Sequence, residues 1–419
     1  MSRRLLVPLL CLLALGLPLA VQASSAADPG VTSTSVLLGG TVPLSGEASS
    51  GGLTAKGADA FFKYTNAHKG VFNRKITYNY KDDAYDPSKT IQATRELVQQ
   101  DHVFAIFNPL GTAQNLATRS YLNAVGVPQL FVASGYGGWA RDAKQFPLTI
   151  GLIPTYTGEG IIYGRYVKSK IKGAKIGVLY QDDDYGRELL SGLKKGLGSK
   201  QGLIVSSKSY DPTSTDVSSQ VGQLKASGAN VVMIFAFGKF AIQAFVYIKK
   251  LGWQPKQIFV NAVAAATSVL QLSSTSGQTE GAISIAFFKD PANPAFDKDK
   301  GMKLYKSIMQ KYAGGGTPGP ASKCKASVPP TWCSGYYLAG MVSGSVMVEA
   351  LKGAGKNLTR KTLMKAVLHL NIKNNPFVLP GITIKTSPTD RWPLEQAQFQ
   401  RWHAGAWHPF GKLVTAPRK

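Results

Sequence analysis

The sequence predicts an α/β protein of two similar lobes, each a doubly wound, mostly parallel sheet flanked by helices. Short apolar runs rich in β-formers alternate with amphipathic helical stretches, the pattern of a parallel sheet. The alternation breaks at Phe146–Glu159 (FPLTIGLIPTYTGE), then restarts over a segment of similar size. The 419 residues suffice for two such cores.

In the first array, Ser35–Val42 is a strand and Pro43-Leu44-Ser45-Gly46 its turn. Gly51–His68 is a helix with Ala55, Ala58, Phe61, Phe62 and Tyr64 on its inner side. Asn73–Tyr80 is a strand, followed by the turn Lys81–Pro87 (KDDAYDP) and a helix to Gln100. Val103–Phe107 is a short apolar strand, as expected for burial on both faces. Asn108–Gly111 breaks it, and Thr112 caps a helix with Ala113, Leu116, Ala117, Tyr121 and Val125 at helical spacing. Gly126 stops that helix; Val127-Pro128 leads into strand Leu130–Ala133, and Ser134–Gly138 opens a second turn.

After the break, Gly160–Ile171 is helical, Lys175–Tyr180 a strand, Asp182–Gly186 a turn and Arg187–Gly198 a helix. Strand Leu203–Tyr210, helix Val217–Ser227, strand Val231–Phe235, helix Lys239–Leu251 and strand Gln257–Asn261 complete the second array. Thr279–Phe288 holds a strand that reads as a return crossing. Pro294–Tyr312, Ser334–Leu351 and Leu358–Leu368 are helices, the second rich in small residues and suited to close packing. The tail, Ile382–Ile384 and Gln396–Trp402 with Trp407, reads as strands and turns.

Ligands bind such sheets beyond the carboxyl ends of the strands. The turns at Thr112 and Ser134 lie there on neighbouring strands, each with a hydroxyl beside backbone N–H groups. That combination suits a carboxylate or another small polar acceptor. The plain alternative is that both residues only cap and turn. Tyr185-Gly186 follows a strand of the second lobe, so Tyr185 can face those turns across a cleft and cover an apolar ligand; packing at the helix start is the alternative.

Residues 1–23 read as a cleaved export signal: Ser2-Arg3-Arg4, apolar Leu5–Ala20, then Val21-Gln22-Ala23 at a small-x-small site. The mature chain is therefore expected in a periplasm or at a cell surface. Cys11 leaves with the signal, and no mature segment has the apolar length of a membrane span. Cys324 and Cys333 flank a short Pro-containing loop; in an exported chain they point to a disulfide. The net charge is +25, about +23 after the signal leaves. Its lysines are dispersed and accompany no nucleic-acid motif, so the charge is a surface property and no nucleic-acid partner is expected.

Catalytic signatures are missing: no GxSxG, Walker loop or HExxH occurs. Gly314–Gly319 (GGGTPG) follows a helix and contains Pro318, so it is a loop and not a dinucleotide site. The five histidines show no metal-ligand spacing. Asp182-Asp183-Asp184 could hold Mg²⁺ in an exported enzyme, but such a run more often is a solvated turn whose last carboxylate caps the next helix. Asp86-Pro87 starts a helix, with Asp82 and Asp83 holding the turn. No enzyme activity, cofactor or metal is expected.

The order PLSG, DDAYDP, LVQQDHVFAIFNPLGT, VGVPQLF, ASGYGGW and IGVLYQDDDYGREL resembles periplasmic binding proteins of branched-chain amino acid transporters, the leucine/isoleucine/valine-binding type. The resemblance runs from about Val31 to Trp402. It implies a type I bilobed binding protein with three crossing segments, acting as a monomer. It would close on a solute by hinge bending and deliver it to an ABC permease. It also implies lobe one at 31–154 plus 282–379 and lobe two at 155–281 plus 380–419. Carried over by position, ligand contacts fall on Leu110, Gly111 and Thr112, on Ser134, Gly135 and Tyr136, and on Tyr185. An aromatic wall falls at Phe237 and a further loop at Asn261-Ala262-Val263. Amino-acid binders of the family place an acid in that last loop, whereas here it reads NAVAAA. The aromatic expected after Pro43–Gly46 is replaced by Ala48-Ser49-Ser50-Gly51. An unpaired buried ammonium is costly, so a carboxylate with an apolar body, or a small amide, is expected over an α-amino acid. Amino-acid binding and a sensory role remain the alternatives.

Overall fold

The computed structural model describes residues 28–325 and 329–418; the export signal expected at 1–23 lies outside the described residues. The first lobe contains β1 (Ser35–Val42), α1 (Leu53–Ala67), β2 (Lys75–Asp82), α2 (Pro87–Gln99), β3 (Ala105–Phe107), α3 (Thr112–Ala124), β4 (Gln129–Val132), α4 (Gly138–Arg141) and β5 (Thr149–Gly151). The second opens with α5 (Tyr156–Lys170), β6 (Ile176–Gln181), α6 (Asp184–Leu197), β7 (Ile204–Tyr210), α7 (Ser218–Ala226), β8 (Val231–Phe235), α8 (Lys239–Lys250), β9 (Gln257–Val260), α9 (Thr267–Ser276) and β10 (Ile283–Ala286). Then follow α10 (Lys300–Tyr312), α11 (Gly335–Ala354), α12 (Arg360–Val367), β11 (Asn371–Ile372), β12 (Ile384–Lys385), β13 (Gln396–His403) and β14 (Ala406–Thr415).

The first sheet runs β2-β1-β3-β4-β5, all parallel. The second runs β7-β6-β8-β9-β10-β13-β14. Its first five strands are parallel and repeat the same order, second-first-third-fourth-fifth; the β13–β14 hairpin adds on antiparallel. The central strands β3, β4 and β8 are buried along their whole length, as continuous apolar runs require.

Three boundaries differ from the sequence reading. Within the expected crossing at 146–159, β5 forms, and α5 starts at Tyr156 because Thr155 Oγ1 caps it, accepting from Gly158 N at 3.0 Å. The strand near 279–288 does not return to the first lobe: β10 pairs with β9 and β13, so the chain leaves the second sheet only after Ala286. The helix expected from Pro294 begins at Lys300, where Asp299 caps it.

Helix α11 lies directly on α1. A Cβ at Gly57 would fall 2.0 Å from the Tyr337 carbonyl oxygen, and one at Gly340 1.8 Å from that of Thr54. Backbones this close leave no room for a side chain. Cys324 and Cys333 form a disulfide with Cα atoms 5.5 Å apart, closing the loop that precedes α11. No helix among the described residues is long and apolar enough to cross a membrane. Replacing Gly340 by Val forces α11 off α1; urea unfolding should show a loss of about 2–3 kcal/mol, and an unchanged midpoint would disprove the contact.

Candidate functional site

In sheets of this order, the crevice lies where the strand order reverses, between the first and third strands. Both sheets direct the carboxyl ends of their strands toward one cavity of about 160 Å³. Its walls come from residues just past the strands: Asn108 and Leu110 after β3, Tyr185 after β6, Phe237 after β8 and Val263 after β9.

The polar end is built at the start of α3. No side chain caps this helix; Gly111, at φ +104°, precedes it, and Asn108 holds φ +48°. Gly111 and Thr112, at this helix start, line the cavity, and the first N–H groups of an uncapped helix are free to bind an acceptor. Thr112 Oγ1 lies 2.7 Å from Ser134 Oγ, both buried, and Ser134 Oγ accepts from Tyr136 N at 3.2 Å. Asn108 Nδ2 is buried and lacks a hydrogen-bond partner.

The body of the cavity is aromatic. Tyr85 and Phe237 lie 5.8 Å apart from opposite lobes, Phe237 meets Tyr336 edge-on at 6.3 Å, and Tyr156 meets Tyr185 at 4.9 Å. Burial raises the hydroxyl pKa values of Tyr85, Tyr156, Tyr185 and Tyr336, so these groups stay neutral donors. The Ala48–Gly51 stretch lacks an aromatic for a visible reason: a Cβ at Gly51 would sit 3.0 Å from Leu110 and 3.3 Å from Phe237, which occupy that space.

Of the residues singled out from sequence, Leu110, Gly111, Thr112, Tyr185, Phe237 and Val263 line the cavity. Ser134 stands behind Thr112. Gly135 and Tyr136 do not line it: Gly135 O accepts from Tyr156 N, and the Tyr136 ring lies against Trp139 and Arg141. Asn261 is fully buried behind the wall, its amide 3.0 Å from the Tyr185 hydroxyl and 3.1 Å from the Ala236 and Ile234 carbonyls. The aspartate runs are structural. Asp183, not the last of its run, caps α6; Asp86 caps α2; Asp82 accepts from Leu44 N and Ser45 N. Among the described residues no acid, histidine and cysteine cluster could hold a metal ion.

Two acids stood outside the sequence reading. Glu159 is buried beneath the 261–266 loop, where its carboxylate accepts from Ala262 N at 2.6 Å and Tyr163 OH at 2.8 Å. Asp290, four residues past β10, lines the cavity and accepts from Thr267 Oγ1 and from Ala292 N. The expectation against an α-amino acid assumed a cavity without an acid, and Asp290 removes that premise. Tyr85 also lines the cavity and was not singled out from the sequence; its place in the DDAYDP turn at the end of a strand is the signal that could have found it. Asp290 and Tyr336 carried no such mark, because their segments run back over the cavity from elements far along the chain.

The lobes also touch directly, away from the residues that line the cavity. Gly137 N donates to Glu188 at 2.8 Å, Arg141 lies 3.5 Å from the same carboxylate, and Lys239 pairs with Glu47 at 2.8 Å.

The family model for periplasmic binding proteins matches residues 35–406. The chain belongs to that family. Leu/Ile/Val-binding protein homolog 2 of Brucella abortus is 27% identical over 63% of this chain and 70% of its own length. Homolog 8 of Brucella suis is 25% identical over 96% of this chain and 95% of its own. Two solved structures share the fold. A branched-chain amino acid ABC transporter protein from Thermus thermophilus with bound valine has a TM-score of 0.76 at 18% identity, covering 92% of this chain and 97% of that one. A fatty acid ABC transporter substrate-binding protein from Thermomonospora curvata has a TM-score of 0.75 at 20% identity, covering 94% and 95%.

Burial raises the Glu159 pKa from 4.5 to about 7 against its two hydrogen bonds, and that of Asp83 from 3.8 to about 6. Glu159 then holds its proton in the folded chain and loses it in the unfolded chain between about pH 4.5 and 7, so its contribution to stability falls as pH rises through that window. Glu159→Gln keeps the acceptor and drops the charge. Chemical unfolding should find it equal to the parent at pH 4.5 and more stable by on the order of 2–3 kcal/mol at pH 8; parallel pH curves would refute this.

Proposed function

We propose that this protein is the exported solute-binding component of an ABC importer, and that it binds in the cavity between its lobes a small solute with an acceptor group and an apolar body. The acceptor group, a carboxylate first, lies at the uncapped start of α3 beside Thr112 and the unpartnered Asn108 Nδ2. The apolar body lies among Leu110, Phe237, Tyr185 and Val263. The observation that carries this reading is the meeting of an uncapped helix start and aromatic walls in one cavity, at the carboxyl ends of both sheets. Relatives described as Leu/Ile/Val-binding proteins, and neighbours in fold described with valine or as a fatty acid transporter, support a carboxylate with an apolar body.

In this reading lobe one comprises 31–154 and the return segment to 379, and lobe two 155 to the end of β10 plus 380–419. The crossings between them act as the hinge, and a permease takes up the closed form. The chain works as a monomer and performs no catalysis.

A thermal-shift screen of the mature protein from Ser24 tests this. The panel holds aliphatic and aromatic carboxylates, small amides and amino acids. At a hundredfold excess over Kd, a true solute stabilises the fold by about 2.7 kcal/mol. Thr112→Val should weaken that solute tenfold or more, while the free protein, which loses the buried Thr112–Ser134 hydrogen bond, still folds and is destabilised by no more than about 1–3 kcal/mol. A panel with no shift, or a shift indifferent to Thr112, would overturn the reading.

A further inference from the structure

Glu188 reaches from the second lobe into the first. It lies on α6 three residues after Tyr185, so one helix face carries both a cavity wall and a contact to the other lobe. Its carboxylate accepts from Gly137 N at 2.8 Å, and its side chain is only 14% exposed. Gly137 is buried, and its N–H has no other hydrogen-bond partner among the described residues.

The first lobe holds that N–H in place. Arg119 is buried, donates to the Gly138 carbonyl at 3.1 Å and to Asp142 at 3.0 Å, and lies over the Phe146 ring at 3.6 Å. A Cβ at Gly138 would fall 2.1 Å from the Tyr136 ring, and one at Gly137 3.3 Å from Glu188 Oε1. The same turn contains Ser134, whose hydroxyl backs Thr112 at 2.7 Å. Each half of the contact is therefore three residues from the cavity wall or its backing: Gly137 from Ser134, Glu188 from Tyr185.

Water can meet both groups while the lobes stand apart. Once they close, the buried N–H depends on Glu188, and a buried donor left without an acceptor costs about as much as a lost hydrogen bond. The charge of Glu188 matters less than its oxygen. Arg141 is 56% exposed and 3.5 Å away, a pair of small worth, and burial raises the Glu188 pKa in spite of Gly137 and Arg141. The other contact between the lobes, Lys239 to Glu47 at 2.8 Å, is open to solvent at Glu47, so water replaces it at little cost.

We propose that Glu188 is a positioning residue that latches the lobes: its acceptor completes Gly137 only in the closed form, favours closure with or without solute, and scales the affinity for every solute by one factor. A binding-competent form that is less populated lowers all affinities alike. This deepens the solute-binding reading and rests on it for the effect on affinity; the effect on closure stands apart.

Small-angle scattering of the free mature protein, from Ser24, reads closure. Glu188→Ala should enlarge the radius of gyration, and Glu188→Gln, which keeps an acceptor for Gly137, should leave it at the wild-type value. Alanine favours helix, so α6 is kept in the first variant. Titration calorimetry with leucine, hexanoate and phenylacetate reads affinity. Each probe that binds the wild type should weaken about tenfold in Glu188→Ala, by one common factor, and less than threefold in Glu188→Gln and in Lys239→Ala. Scattering of Glu188→Ala that matches the wild type would overturn the latch. So would a loss that differs more than threefold between probes, or a Glu188→Gln variant as weak as Glu188→Ala. Failure of all three probes counts against the solute-binding reading, and scattering then decides the latch alone.

Discussion

Everything in this molecule depends on two parallel sheets with the same strand order pointing their carboxyl ends at one space. Parallel strands end where helices begin, so those ends collect unbonded N–H groups and short turns. Placing two such ends face to face encloses them, and polar groups that would be ordinary on a surface become costly to leave unpaired. Thr112, Asn108 and Asp290 are therefore useful because of where the sheets put them.

The surroundings hold these groups in place. The 261–266 loop is tied from below by Glu159 and from the side by Trp407, whose Nε1 donates to Ala265 O at 2.7 Å. Trp407 belongs to the β13–β14 hairpin, so the antiparallel addition to the second sheet also buttresses the cavity. Tyr163 links Glu159 to the Val260 carbonyl and accepts from Ile285 N, joining the ends of β9 and β10. The two lobes are held over the cavity by small polar contacts, Glu188 to Gly137 and Lys239 to Glu47. The Glu188 contact is part-buried, whereas the Lys239–Glu47 pair is open to solvent at Glu47, and an exposed pair of this kind is weak.

Much of this was legible in the chain. Strand–helix alternation fixes both sheets, because the buried parallel strands read as apolar runs and their turns as Gly, Asn and Asp clusters. Of the cavity contacts that follow a strand directly, Thr112 and Tyr185 fall where local pattern places them, and Leu110, Phe237 and Val263 where the resemblance carried them. What local pattern missed arrives from a distance. Tyr336 on α11 and Asp290 past β10 depend on the path of the return segments, which a one-dimensional period does not encode. Gly135 and Tyr136 sit in a turn of the right kind, yet Tyr156 and Arg141 draw that turn away from the cavity. The loop reading NAVAAA looked devoid of acid, but two acids serve its surroundings from 103 residues upstream of Ala262, at Glu159, and from beyond β10, at Asp290.

Hydrogen exchange of the mature protein, with and without the solute that most raises its melting temperature, tests most directly whether this cavity is the binding site. Binding here requires slowed exchange at the first amides of α3 and in the 261–266 loop together, since the solute would lie between them. Protection confined to one lobe's outer surface, or spread evenly over both lobes, would contradict a site between the sheets.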